Sequence, residues 1–302
     1  MSTSIFPYRN LAAIALIFWA MTCLPSPAAP QEPDTQWTYK TIADKNLILD
    51  VFLPEGYGEP GRTFPFIVYF HGGSWDQGSP ANQYPDCAYW AKRGMVAASA
   101  HYRLRTRDKV NVPIECLKDA KAVIRYIRAN ANELHIDPER VVVAGDSAGG
   151  MLAAGTTLIE SEETNHPDDP KVSCIANAVI LHCPYWKTGY SPELTPPNFV
   201  RPGLPPMIMF LGDSDQAISI ESIKNLQNAL KEKGNANEFH VGKGGKHGFT
   251  NGRNPKNAFF YWATGLEDAF LVRHGILDGE AVIERPQGVP ELKVGTEFTS
   301  YL

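Results

Sequence analysis

The chain has 302 residues, of which 43% are hydrophobic, 20% charged and 11% aromatic, with a formal net charge of -5. This composition supports a sizeable buried core and excludes disordered, collagen-like and coiled-coil chains. A net negative field without a basic stripe repels polyanions, so nucleic acid is not an expected partner.

In chain order, the first segment stands apart. Arg9 is the only charge before Glu32, Leu11 to Leu24 is an uninterrupted apolar run, and Pro25-Ser26-Pro27-Ala28-Ala29-Pro30 follows. A basic start, an apolar stretch and a small-residue cleavage site read as a signal peptide over residues 1–28, cleaved after Ala28. The run has 14 residues, short of the roughly 20 that a bilayer span needs. The expectation is a secreted or periplasmic protein with no stable membrane span after cleavage. Met21 and Thr22 are larger than the residues usual before a lipidated cysteine, which argues against an anchor on Cys23.

Residues 38–53 alternate apolar and polar side chains around Asp44-Lys45-Asn46, the pattern of an antiparallel hairpin. Phe64 to Phe70 is a continuous apolar run bounded by Pro65 and Gly72-Gly73, as expected of a strand buried on both faces. Helical spacing runs from Asn82 to Arg93, and Met95 to Ala100 reads as the next buried strand. Leu117, Ala120, Ile124 and Ile127 recur at helical intervals, predicting an amphipathic helix over 113–135 that connects through Asp137-Pro138 to a short strand at Val141 to Ala144. A helix at 148–159, a strand at 176–181 and a Pro/Gly-rich loop at 184–206 follow. Strands at 207–211 and 237–241 then alternate with helices at 219–233 and 257–272. Buried strands alternating with helices imply an α/β fold, with a mostly parallel sheet covered on both faces and an antiparallel hairpin at its start. The polar, Pro-interrupted stretch 278–302 reads as a tail of unassigned role.

After signal removal Cys87, Cys116, Cys174 and Cys183 remain. An even count in an exported chain permits disulfides, and the three possible pairings stay open. With no CxxC pair and no Cys/His cluster at zinc spacing, no metal site is expected.

Gly145-Asp146-Ser147-Ala148-Gly149 fits G-x-S-x-G directly between a predicted strand and a predicted helix. A tight turn there exposes the Ser147 hydroxyl, which needs a base and an orienting carboxylate to become a nucleophile. The expected order is Ser, acid, His. Two strand ends downstream supply Gly212-Asp213-Ser214-Asp215-Gln216-Ala217-Ile218 and Gly244-Gly245-Lys246-His247-Gly248-Phe249. Asp215 is the favoured acid, because Ile218 packing under the loop would aim that carboxylate inward; Asp213 reads as a loop brace. Of eight histidines, His247 is the base candidate. His135, His166 and His274 read as solvated, and His101, His182 and His240 as structurally satisfied. After the first buried strand, His71-Gly72-Gly73-Ser74-Trp75 forms a turn of small residues. The N–H groups of Gly73 and Ser74, with that of Ala148, are candidate oxyanion donors, leaving His71 as a brace and Trp75 as packing.

The sequence of HGGSW, GDSAGG, GDSDQAI and KHGF resembles the serine esterases of the α/β-hydrolase superfamily, including hormone-sensitive-lipase-like carboxylesterases and bacterial feruloyl or acetylxylan esterases. The resemblance spans about residues 38 to 275, within a catalytic domain bounded at 38–277. It implies the α/β-hydrolase fold and a serine carboxylesterase acting on small-molecule or carbohydrate esters, such as acetyl or feruloyl groups, without a cofactor. Two other readings use the same chain: a peptidase or formamidase with the same triad, and a catalytically silent hydrolase fold used for binding. Oligomeric state has no signature in the sequence.

Overall fold

The computed structural model describes Met1 and residues 31–186, 192–281 and 283–302. The chain divides into two units, Met1–Pro30 and Gln31–Leu302, and the fold described below is that of the second. The expected signal peptide and Cys23 lie outside the described residues. Among the described residues, no helix is long and apolar enough to cross a membrane.

The elements run β1 (Thr35–Ile42), β2 (Lys45–Phe52), β3 (Phe64–Phe70), α1 (Tyr84–Lys92), β4 (Val96–Ala100), a single turn α2 (Arg105–Asp108), and α3 (Ile114–Ala129). They continue β5 (Ile136–Asp146), α4 (Ala148–Leu158), β6 (Ala178–His182), β7 (Met207–Gly212), α5 (Ile220–Glu232), β8 (Asn237–Gly242), α6 (Ala258–Arg273) and β9 (Phe298–Tyr301). One sheet takes the order β1-β2-β4-β3-β5-β6-β7-β8-β9. The strands from β4 through β8 in that order are parallel, while β1, β2 and β9 pair antiparallel at the two edges. The mostly parallel sheet with an antiparallel hairpin at its start is the one expected from the alternation of strands and helices, and the arrangement is that of the α/β-hydrolase fold implied by the motif resemblance.

The uninterrupted apolar strands follow from helices covering both faces. Phe66, Val68 and Phe70 pack with Leu117 and Ile124 of α3 and Met151 of α4. Ile67 and Tyr69 point the other way, against Trp90 of α1 and Phe270 and Leu271 of α6. Each large apolar side chain so buried contributes about 1.5–3 kcal/mol relative to exposure. Two polar side chains fix helix starts: Ser219 accepts from Ser222 N–H at 3.2 Å and Asn257 from Phe259 N–H at 3.2 Å.

Three elements depart from the sequence expectation. The helix predicted to 135 stops at Ala129, where Asn130 Nδ2 bonds the carbonyl of Tyr126 at 2.8 Å and His135 turns to φ 50°. The strand predicted at 141–144 is longer, because Ile136 already pairs with Phe64. The register then shifts, so that Val141 pairs with Phe66; the irregularity falls where Pro65 and Pro138 lack N–H donors. The 278–302 tail supplies β9, which completes the sheet beyond β8. Cys87, Cys116, Cys174 and Cys183 are buried free thiols.

Candidate active site

β5 delivers the chain to Asp146 and α4 starts at Ala148, so Ser147 alone makes the strand-to-helix turn. Its backbone lies at φ 53°, ψ −116°, a region costing on the order of 1–3 kcal/mol for a residue with a Cβ. The turn is held on both sides: Ser147 N–H donates to His182 O at 2.9 Å, and Ser147 O accepts from Met151 N–H at 3.1 Å and Tyr185 N–H at 2.9 Å. The chain approach also demands glycine at 149, where a Cβ would overlap the carbonyl of Phe70 and sit 2.7 Å from that of His71.

Three strand ends meet at this turn. His247 Nε2, from the loop after β8, lies 2.9 Å from Ser147 Oγ, and its Nδ1 lies 2.8 Å from Asp215 Oδ2, from the loop after β7. An ionised carboxylate only accepts, so Nδ1 carries the proton and Nε2 faces the serine hydroxyl as acceptor. The other Asp215 oxygen accepts from Ala217 N–H at 2.8 Å and Ile218 N–H at 3.0 Å, with Ile218 buried beneath. Asp213 bonds Gly244 N–H at 2.7 Å and Ser214 Oγ at 3.1 Å, and so ties the two loops together away from the histidine.

The turn after β3 closes against the serine, since a Cβ on Gly72 would lie 3.2 Å from Ser147 Cβ. Gly73 at φ 117°, Ser74 at φ 55° and Trp75 at φ 58° reverse the chain, and Gly73 O accepts from Asp76 N–H at 3.0 Å and Gln77 N–H at 2.9 Å. The N–H groups of Gly73, Ser74 and Ala148 donate to no acceptor among the described residues. His71 is buried, stacks on Tyr102 at 4.4 Å and places Nδ1 2.8 Å from Gly72 O. Burial lowers its ring to about 4, so it stays neutral and braces the turn. Trp75 is buried in the core with its ring 6.1 Å from Tyr185.

Sequence reasoning missed what lies below. Asp146 Oδ1 accepts from Gly72 N–H at 3.0 Å and from Gln83 Nε2, joining the nucleophile turn to the β3 turn. A cavity of about 40 Å³ lies beside it, lined by Tyr69, Gln83, Asp86, Asp146, His182 and Arg253 among others. Burial pushes Asp86 up to about 8 and Asp146 upward. His182 bonds Thr250 Oγ1 at 2.9 Å and pairs with Glu267 at 3.2 Å; burial lowers its ring, but the carboxylates of Glu267, Asp86 and Asp146 together outweigh it and the net shift is upward. His101 pairs with Asp50 at 2.7 Å and His240 bonds Ser300 at 2.7 Å. His274 is exposed, whereas His135 and His166 are half-buried rather than fully solvated. A second cavity, of about 170 Å³, borders Asp215 and is lined by Trp186, Gln216, Ile218 and Ser222 among others. Trp186 belongs to the predicted 184–206 loop, of which 187–191 lie outside the described residues.

The BD-FAE family model matches residues 49–181. Carboxylesterase NlhH of Mycobacterium tuberculosis strain ATCC 25618 / H37Rv is 37% identical over 93 residues, which is 30% of this chain and 28% of that enzyme's length. Esterase 2 of Thermogutta terrifontis phosphonylated by cyclosarin superposes with a TM-score of 0.77 at 36% identity, covering 82% of this chain and 96% of that one. Its propionate-bound structure matches with a TM-score of 0.76 at 34% identity, covering 84% and 98%.

Proposed function

The chain belongs to the α/β-hydrolase esterases, and from that premise we propose that it is a serine carboxylesterase working through an acyl-enzyme on Ser147. The observation that carries the proposal is the hydrogen-bonded line from Ser147 Oγ to His247 Nε2 at 2.9 Å and from His247 Nδ1 to Asp215 at 2.8 Å. As Oγ attacks the ester carbonyl, His247 takes its proton and the Asp215 carboxylate stabilises the imidazolium. Charge on the carbonyl oxygen is met by the N–H groups of Gly73, Ser74 and Ala148; one such donor is worth about 10²–10³ in turnover. The imidazolium protonates the leaving alcohol, the acyl group stays on Oγ, and water activated by His247 then releases the acid.

The phosphonylated Thermogutta esterase supports an activated nucleophile in this site, and its bound propionate supports a short acyl group. We place the activity outside the cytoplasm on the strength of the apolar run Leu11 to Leu24 behind Arg9. Export brings the enzyme to extracellular esters, including acetyl or feruloyl groups on polysaccharides. The test is a hydrolysis panel of 4-nitrophenyl acetate, butyrate and octanoate, methyl ferulate and acetylated xylan, beside Ser147→Ala. Ser147→Ala is expected to lose about 10⁶-fold in turnover. Normal ester hydrolysis by that variant overturns the mechanism, and arylamide turnover exceeding ester turnover makes the enzyme a peptidase.

A further inference from the structure

Cys183 takes no part in the hydrolytic steps, yet it stands at their edge. It follows β6 directly, with φ 36° and its N–H bonded to Phe210 O at 2.7 Å. β6, β7 and β8 are neighbours in the sheet, so the residues after their ends converge. Cys183 Sγ, a carboxylate oxygen of Asp215 and a ring nitrogen of His247 all lie within 4.8 Å of one another. Sequence spacing hides this group, because its members are separated by more than thirty residues each. Burial pushes the Cys183 thiol well up, so it is protonated and unreactive at neutral pH.

We propose that Cys183, Asp215 and His247 form a site for a thiophilic divalent cation, zinc or cadmium, whose binding switches hydrolysis off; the regulatory consequence rests on the esterase reading above. One sulfur, one imidazole nitrogen and one carboxylate oxygen make a donor set for borderline and soft cations, and a poor one for calcium or magnesium. Zinc bonds of about 2.0–2.3 Å require donors roughly 3.3–3.7 Å apart, so donors as far apart as 4.8 Å close in by up to about 1.5 Å, while His247 Nδ1 and Asp215 Oδ2, 2.8 Å apart, open by about half an ångström. His247 lies in the loop between Gly244 at φ 71° and Gly248 at φ 70°. The cation forms bonds to the Cys183 sulfur, Asp215 and His247 Nδ1. The thiol proton leaves to solvent, and the Nδ1 proton moves to Nε2. With Nε2 protonated, the imidazole has no lone pair for the Ser147 hydroxyl, and the base is lost.

The experiment has two arms. In the first, zinc chloride is titrated into full-length protein hydrolysing 4-nitrophenyl acetate, each variant being referred to its own uninhibited rate. Chelator-reversible inhibition is expected, with the half-inhibitory concentration raised at least about tenfold in Cys183→Ala and unchanged in Cys116→Ala. Undiminished inhibition of Cys183→Ala overturns the proposal. In the second, cadmium is titrated into Ser147→Ala, where binding is read as ultraviolet thiolate-to-cadmium charge transfer rather than as activity. The band is expected there and is expected to vanish in Ser147→Ala/Cys183→Ala and to weaken in Ser147→Ala/His247→Ala. Absence of the band in Ser147→Ala, or its persistence without Cys183, also overturns the site. Full hydrolysis by Ser147→Ala would instead sink the esterase reading while the band continued to report on the cation.

Discussion

Replacing Asp215 with Asn keeps the size of the side chain and removes one acceptor, and the loop dictates which one. Two backbone N–H groups, of Ala217 at 2.8 Å and Ile218 at 3.0 Å, point at Oδ1, while Oδ2 faces His247 Nδ1 at 2.8 Å. An amide satisfies the loop only with its oxygen toward the two N–H groups, which turns its NH₂ toward the histidine. Nδ1 must then accept, the ring proton moves to Nε2, and no lone pair remains for Ser147. Flipping the amide restores the tautomer but sets NH₂ against two donors, forfeiting two hydrogen bonds at about 1–3 kcal/mol each. At about 1.4 kcal/mol per tenfold, the productive arrangement falls to between about one molecule in 30 and one in 10⁴. Loss of the carboxylate charge beside the imidazolium adds to this, so kcat is expected to fall about 10⁴-fold with KM nearly unchanged. Asp213→Asn is the control, since an amide oxygen still accepts from Gly244 N–H; it is expected to stay within about threefold of the parent. Initial rates on 4-nitrophenyl acetate decide the matter for both variants once circular dichroism has shown them folded. Retention of more than about a tenth of the parent kcat by Asp215→Asn, or an equal loss in Asp213→Asn, refutes the argument.

Three further outcomes follow from the packing. Gly149→Ala drives a methyl group into the Phe70 backbone, and because backbone cannot yield, α4 must lift from β3 at a cost of about 3 kcal/mol or more; an unchanged thermal midpoint would contradict the close approach. Buried His71 titrates near 4 when folded, against 6.5 when exposed. Its neutral ring therefore stabilises the fold fully above pH 6.5, and that contribution, about 3 kcal/mol, is lost as pH falls toward 4. The urea midpoints of His71→Gln at pH 7 and pH 4.5 should lie closer together than those of the parent, and an equal gap counts against this origin. Deleting residues 298–302 removes the bonds from Gln227 Nε2 to Tyr301 O at 2.8 Å and between His240 and Ser300 at 2.7 Å, together with the buried Phe298. A loss of about 2–4 kcal/mol is expected, with an exposed β8 edge inviting aggregation; a calorimetric scan matching the parent would show that β9 does not stabilise the sheet.

The strands at 64–70 and 207–212, the second predicted as 207–211, were legible because burial on both faces leaves an apolar run with sharp Gly or Pro boundaries, whereas 237–242, predicted as 237–241, carries Asn237, Glu238 and His240 and was placed by its position in the alternation of strands and helices. The catalytic candidates were legible for a related reason: each follows a predicted strand, so strand ends point to loops that can converge. Asp215 was separable from Asp213 because Ile218 had to be buried, which fixes the side from which the carboxylate faces inward. What stayed hidden is non-local. The short alternating segment Phe298–Tyr301 has no strand signal until β8 offers an edge 60 residues upstream. Asp146 looked like the variable position of a motif, and its bonds to Gly72 and Gln83 depend on a close approach of β3 and β5. Asp86, His182 and Glu267 share one buried neighbourhood without any common spacing, and Cys183 meets Asp215 and His247 only through strand order.

The backbone angles of Ser147 also set terms for any attempt to harden this protein. At φ 53°, ψ −116° glycine is relaxed and serine is not, so Ser147→Gly releases on the order of 1–3 kcal/mol along with the proposed nucleophile. Variants chosen only for survival at high temperature would therefore accumulate an inert form. In a screen of this chain, heat tolerance has to be scored together with turnover, because at this one position the two select opposite residues.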